Sequence, residues 1–226
     1  MSPLLATVDA VVFDLDGTLV ETNIDFPLMK REMIALAVSV GMDPDPLVSR
    51  DILAIVDLAV EHLRFQGMPD LAAHTRARAM AILQEIELRH ADRAEEIPFA
   101  RELVGILKER GIRIGIATRN CRAASEISLA FAGIVPDAMV CREDTSRHKP
   151  YPDQLQLVLE ALAARPERSI MVGDHLMDIT SGKAAGMSTI GFLREHRDEC
   201  FFDGVAPDLV VRSLREVLDA IIDRNR

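Results

Sequence analysis

Two carboxylates stand two residues apart in Asp14-Leu15-Asp16-Gly17-Thr18-Leu19, at the end of the apolar run Val8-Asp9-Ala10-Val11-Val12-Phe13. A buried strand ending in two acids and a glycine turn delivers both to the carboxyl edge of a sheet, where open α/β folds keep their ligands. In extended chain the two side chains share a side, and Gly17 permits the sharp turn that follows. Acids this close need a cation or unequal protonation, and either condition equips them for nucleophilic or proton-transfer work. The same residues also fit an ordinary Asp-Gly turn, so the rest of the chain must decide.

Three further segments bear on that choice. The run Gly111-Ile112-Arg113-Ile114-Gly115-Ile116-Ala117 reads as a second buried strand and ends in Thr118-Arg119-Asn120, where a hydroxyl and turn amides are available to an oxyanion or simply to a helix cap. Arg147-His148-Lys149-Pro150-Tyr151-Pro152-Asp153 sets a lysine in a proline-stiffened loop ahead of a helix; taken alone, such a lysine faces solvent. Ser169-Ile170-Met171-Val172 then leads into Gly173-Asp174-His175-Leu176-Met177-Asp178, with Asp174 at a strand tip and Asp178 in the first turn of the next helix. A carboxylate there is also an ordinary partner of the helix dipole.

In order, the chain offers Asp-x-Asp-Gly-Thr, a strand-end Thr, a Lys-Pro loop and Gly-Asp-x-x-x-Asp, each at or near the end of an expected strand. This set resembles the four-motif signature of the haloacid dehalogenase-like phosphohydrolase superfamily, in particular its phosphoglycolate-phosphatase-like branch. The resemblance runs from about residue 11 to 193 apart from the region between the first two motifs, and Lys183-Ala184-Ala185-Gly186-Met187 is similar to that branch too. One departure stands out: the family typically carries Asn directly after the Thr or Ser of the second motif, whereas here Arg119 precedes Asn120.

The resemblance implies a Rossmann-like parallel sheet with the first-motif strand central and a helical cap inserted after it: a core of residues 1–20 and 98–226, and a cap of 21–97. It implies a Mg²⁺-dependent phosphatase acting on a small phosphomonoester. Asp14 would be the nucleophile and Asp16 the acid and then base. Thr118, Arg119 and Lys149 would hold the phosphate. Mg²⁺ would be bound by Asp14, the Asp16 backbone carbonyl, Asp174 and Asp178, the last directly or through water. Each role has a chemical reason, since a phosphomonoester dianion needs a nucleophile, an offsetting cation and a proton for the leaving alkoxide. A phosphomutase would share every motif, and a catalytically silent module on the same fold is a third reading. A hydrolytic dehalogenase would have no use for Asp16 or Asp174.

Composition bounds the rest. With 226 residues, 49% of them hydrophobic, the chain can bury a sizeable core as one domain with a large insertion or as two domains. Its three cysteines, Cys121, Cys141 and Cys200, have no Cys-x-x-Cys spacing and argue against a disulfide framework or zinc site. The net charge of −10 opposes nucleic-acid binding. No basic segment followed by an apolar stretch opens the chain, and no run approaches a membrane span, so a cytoplasmic location is expected.

Between the first two motifs the pattern turns helical. Leu28, Met29, Met33, Leu36, Ala37 and Val40 share a face after Asp25-Phe26-Pro27. A second helix is expected over 46–66, capped by Asp45 and closed by Gly67, and a third over about 70–90. Hinges are expected near 21–24 and 95–98. The basic residues His62, Arg64, His74, Arg76 and Arg78 of this insertion are open equally to a substrate and to solvent. Beyond it, helices over 100–110, 122–132, 153–163, 178–185 and 213–223 alternate with strands, which predicts a parallel sheet coated on both faces. Residues 194–207 lack periodicity and read as a surface wrap.

Overall fold

The computed structural model describes residues 8–222. Strands β1 (Ala10–Phe13), β4 (Arg113–Ala117), β5 (Ala138–Val140), β6 (Ser169–Gly173), β7 (Ser188–Phe192) and β8 (Leu209–Val211) form one parallel sheet in the order β5-β4-β1-β6-β7-β8. The strand order reverses at β1, where Phe13 lies opposite Ile116 of β4 and Val172 of β6. That reversal opens the crevice in which such sheets bind ligands.

Period-two alternation assigns β1 to two cores at once. Val11 and Phe13 pack with Leu103 and Leu107 of α4 (Ala100–Glu109), Leu129 of α5 (Arg122–Ala132) and Val217 and Ile221 of α8 (Leu214–Ile222). Ala10 and Val12 pack on the other face with Leu155 and Val158 of α6 (Asp153–Ala161). The helix after β6, α7 (Leu176–Ala184), buries Ile179 against Leu193 and Phe202. The β1 residues are fully buried, so both sheet faces are covered as a parallel sheet requires.

The chain divides into two compact units, residues 1–22 with 91–226 and residues 23–90. The second unit holds α1 (Phe26–Ser39), α2 (Ile52–Phe65) and most of α3 (Pro69–Ala91) around its own core of Met33, Leu36, Ile55, Leu63, Leu83 and Ile86. Helix α1 starts as its sequence predicts: the Asp25 carboxylate accepts from the Leu28 amide at 2.8 Å, and Pro27 occupies the first turn.

Two expectations are corrected. The Asp45-Pro46 signal starts only a single 3₁₀ turn, Asp45–Leu47, because Asp51 caps a second start by accepting from the Leu53 amide at 3.0 Å, and α2 begins there. The second crossing between units falls after residue 90 rather than near 95–98. Glu95 and Glu96 form β3 (Glu95–Glu96), which pairs antiparallel with β2 (Val20–Glu21) in a separate two-stranded ribbon and so belongs with the unit that carries the parallel sheet. Among the described residues no helix is long and apolar enough to cross a membrane.

Leu107 is wholly buried between α4 and the sheet, while Phe131, on α5, is 64% exposed. Leu107→Ala is expected to lower stability by about 2–5 kcal/mol and Phe131→Ser to change it by about 0.5 kcal/mol or less. Urea titration followed by circular dichroism measures both; equal midpoints would contradict this account of the core.

Candidate active site

The first acid extends the sheet. The Asp14 amide donates to the Val172 carbonyl at 2.9 Å, so the ladder between β1 and β6 continues to Asp14 itself. Beyond it the amides of Thr18, Leu19 and Val20 all converge on the Leu15 carbonyl, which folds the chain back sharply. Gly17 makes this possible at φ +88°, and a Cβ there would lie 2.7 Å from Asp174 Oδ2. At the tip of β6 a Cβ on Gly173 would come within 2.4 Å of the Asp178 side chain. Two glycines thus let the third and fourth carboxylates close on the first pair.

Lys149 reaches into this cluster. Its ammonium donates to Asp14 Oδ1 at 2.5 Å and to Asp178 Oδ1 at 2.7 Å, with its side chain 2% exposed. Gln154, fully buried at the start of α6, positions the loop: its Oε1 accepts from the Lys149 amide at 3.3 Å, and its Nε2 donates to the carbonyls of Thr118 at 2.7 Å and Cys141 at 3.2 Å. A lysine that its loop alone would leave in solvent is therefore a core residue, beside the acid that the motif resemblance pairs it with. Burial works against its charge, but Asp14 and Asp178 more than offset that and push its pKa up, so it is an ammonium at any working pH. Burial pushes the Asp14 carboxyl up, with Asp178, Asp174 and Asp16 adding and Lys149 opposing.

Asp16 has different company. Its Oδ2 accepts from the Thr118 hydroxyl at 3.2 Å, and the Asn120 amide donates to Oδ1 at 3.1 Å and Oδ2 at 3.4 Å. Burial raises its pKa against the opposing hydrogen bonds from Thr22, Asn120 and Thr118. Two carboxylates two residues apart are thus given unlike surroundings: one meets a cation, the other neutral donors. Such a difference suits a nucleophile beside a proton donor.

Asp14, Asp174 and Asp178 each offer an oxygen within 4.8 Å of the others. An all-oxygen set of three carboxylates, two of them sharing the Lys149 ammonium, fits a hard divalent cation. The crowding is visible at Asp174, which burial and then Asp178 push up to about 6, against Arg194, Lys149 and Arg197. The Asp16 carboxylate is not part of this trio. Asp178 also accepts from the His175 amide at 3.0 Å as α7 begins, so both of its oxygens are engaged.

The remaining positions are engaged within the protein. Thr118 is wholly buried and turns its hydroxyl to Asp16, while accepting from the Asn120 amide at 3.0 Å. The Arg119 guanidinium contacts Met177 Sδ at 2.9 Å, beside the Asp174 loop, and its carbonyl accepts from Arg142. His175 accepts from the Met177 amide through Nδ1 and stacks edge-on to Phe201. Cys121 caps α5, accepting from the Ala124 amide, and is a buried structural thiol. Sequence reasoning missed three contributors. Asn120 was noted as displaced, yet it reaches Asp16; Gln154 carried no signal except its nearness to Lys149. Arg194 opens the stretch read as a surface wrap, but it donates to the Gly17 carbonyl at 2.7 Å and pairs with Glu21, bracing the acid turn.

Comparison with known proteins bears on the family and the fold. The chain is 28% identical over 224 residues to pyrophosphatase PpaX of Bacillus cereus (strain Q1), covering 97% of this chain and 99% of that one. It is 27% identical, over the same shares, to pyrophosphatase PpaX of Bacillus thuringiensis (strain Al Hakam). Its fold is shared with a phosphonoacetaldehyde hydrolase-like protein from Oleispira antarctica, at a TM-score of 0.67, 20% identity and coverage of 97% and 93%. A hydrolase of Deinococcus radiodurans solved with bound phosphate and sodium aligns at a TM-score of 0.63, 21% identity and 97% coverage of each chain. The family model described as haloacid dehalogenase-like hydrolase matches residues 11–192 and so takes in all four acids, Thr118 and Lys149. The chain belongs to the haloacid dehalogenase-like hydrolases.

Proposed function

We propose that this hydrolase is a Mg²⁺-dependent phosphatase that cleaves a small phosphoester through an aspartyl-phosphate on Asp14. The observation that carries the reading is the unlike pairing of Asp14 with Lys149 and of Asp16 with Thr118 and Asn120. Asp14, Asp174 and Asp178 would hold the ion, together with the Asp16 carbonyl. When bound, it supplies positive charge that offsets the phosphate dianion as it meets a carboxylate.

The chain's own residues do the rest. Lys149 keeps Asp14 ionised for attack and balances an equatorial phosphate oxygen. Thr118 exchanges its hydrogen bond to Asp16 for one to the phosphate, which frees the Asp16 carboxyl to turn toward the leaving oxygen. Asp16 protonates that oxygen and then, as a carboxylate, takes a proton from the water that attacks the phosphoryl-Asp14 ester. Arg119 supplies its backbone amide to the phosphate, while its guanidinium stays with Met177.

The substrate is a small one on this reading. Residues 20–97 hold 8 Lys or Arg against 14 Asp or Glu, so the insertion offers no field to attract a large polyanion. The relatives named pyrophosphatase favour inorganic pyrophosphate as a second candidate beside an alkyl ester such as phosphoglycolate. The two differ in what they ask of Asp16, because phosphate leaves as a weakly basic anion and an alkoxide does not.

Asp14→Asn is expected to abolish turnover and covalent labelling by phosphate, and Asp16→Asn to slow alkyl ester hydrolysis by about 10²–10⁴-fold. With pyrophosphate the Asp16→Asn loss in the first, phosphoryl-transfer step, read by single-turnover release of the leaving group, is expected to shrink to about tenfold or less, while the loss in hydrolysis of the phosphoryl-enzyme stays the same for both substrates. Steady-state phosphate release on both substrates, with Mg²⁺ and with excess EDTA, gives the overall losses. Full activity in EDTA, or labelled Asp14→Asn protein, contradicts the mechanism.

Metal binding should carry the titration of Asp174. With its pKa pushed up to about 6, the metal-free group holds a proton below that pH, and a cation must displace it. Mg²⁺ affinity is therefore expected to fall as the pH drops through about 6. The stability of the metal-free chain runs the other way: a raised carboxyl contributes most below its unfolded value and loses that contribution as the pH rises through about 6. Calorimetric Mg²⁺ titrations from acid to neutral pH check the first trend, and metal-free melting curves over the same range check the second.

A further inference from the structure

The helical unit contains a cavity that the hydrolytic chemistry does not use. It has a volume of about 480 Å³ and is bounded by the last turns of α1 and α2 and the first turns of α3, all within residues 23–90. That size is in the range of sites that enclose a small organic ligand. Helix α1 runs from Phe26 to Ser39 and α3 ends at Ala91, so the cavity lies at the ends of these helices far from where the chain enters and leaves the unit. At the helical rise this is about 15–20 Å along α1 and about 20–30 Å along α3.

Its lining has two chemistries. Leu36 and Leu63, 8% and 1% exposed, form an apolar floor that Met68 extends. Opposite them α3 presents His74, Thr75 and Arg78. Thr75 is only 3% exposed, yet its hydroxyl makes no hydrogen bond among the described residues, unlike the Thr180 hydroxyl, which bonds to the Leu176 carbonyl at 2.9 Å. The Thr75 oxygen is not one of the fully buried polar atoms without a partner, so it faces the open cavity, where a ligand can reach it. Arg78 likewise has no ion-pair partner among the described residues, whereas Arg76 two positions earlier pairs with Asp57 at 2.6 Å. No carboxylate lines the cavity, in an insertion where acids outnumber bases. The local charge is therefore opposite in sign to that of its surroundings.

We infer that this cavity is a second binding site, for a small amphipathic anion whose carboxylate or phosphate head meets Thr75 and Arg78 and whose aliphatic body lies on Leu36, Leu63 and Met68. The head receives one neutral and one charge-assisted hydrogen bond, and the body replaces water on the apolar floor. Because the cavity is built wholly from one unit, the inference does not depend on which phosphoester the enzyme hydrolyses.

The test uses the full chain with labelled Leu, Ile and Met methyl groups and hexanoate as probe, with hexylammonium and hexanol as controls. Hexanoate is expected to move the methyl signals of Leu36, Leu63 and Met68 in a saturable way. Hexylammonium should leave them in place, and hexanol should bind at least tenfold more weakly. Arg78→Gln, an exposed change, is expected to weaken hexanoate about tenfold, and Thr75→Val by a smaller factor of about three to ten. The Arg78 variant decides the matter if the Thr75 variant proves unstable. Equal shifts with hexanol and hexanoate, an unchanged hexanoate affinity in Arg78→Gln, or no saturable shift by about 20 mM hexanoate or hexyl phosphate would each overturn the inference. So would shifts at these methyls that grow with protein concentration alone, which would mark the surface as a contact with a second copy.

Discussion

The ammonium of Lys149, shared by Asp14 and Asp178, is the interaction on which the site depends. Three carboxylates around one point, two buried and one half-buried, repel one another, and without a fixed cation they would take up protons or push the strand ends apart. A buried charge of this kind contributes little net stability when paired but costs about 3–5 kcal/mol when its partner is removed. It therefore works as a constraint more than as glue. The Lys149 loop must be where it is, so Gln154 is buried to hold it, and through Gln154 the loop is tied to the Thr118 carbonyl on the neighbouring strand end. Ends of β1, β4 and β6 and the loop before α6 are thus coupled through polar contacts just above a core that is otherwise apolar.

The same economy explains the two glycines. Asp174 cannot approach the acid turn, nor Asp178 the tip of β6, if a Cβ stands at Gly17 or Gly173. Space for carboxylates is created by deleting side chains next to them. Neutral donors are then used where a cation would be wrong: Thr118, Asn120 and Thr22 keep Asp16 hydrogen-bonded without lowering its pKa enough to cancel the effect of burial. The division between charged and uncharged partners is what makes two similar residues chemically distinct.

Much of this was legible in the sequence because it is written in local pattern. Strand runs ending in acids, the Asp25 cap of α1 and the helices after each strand depend on near neighbours, and the parallel order followed from their alternation. What escaped was decided by competition or by distance. Asp45 and Asp51 are both good caps, and nothing local says which one starts the long helix. Lys149 was legible as a site residue from the order of the motifs, but its depth was not, because that is set by Asp14 and Asp178, which the sheet brings to it from positions far along the chain. Asn120 looked out of register by one position, but a side-chain amide is long enough to reach Asp16 from there. Arg194 sits in a stretch with no periodicity, and its worth lies wholly in the Gly17 carbonyl and Glu21 that it meets.

The ribbon of β2 and β3 has a consequence for how such chains change. Val20 pairs with Glu96 and Glu21 with Glu95, so the segments leading into and out of the helical unit are held about one strand spacing apart by the sheet-bearing unit itself. Closing a loop whose ends are already pinned depends only weakly on its length, about 0.6 kcal/mol for each doubling. The interval between these strands can therefore gain helices, lose them or be exchanged for another fold with little entropic penalty to the sheet, which makes the ribbon a docking port for evolutionary insertion.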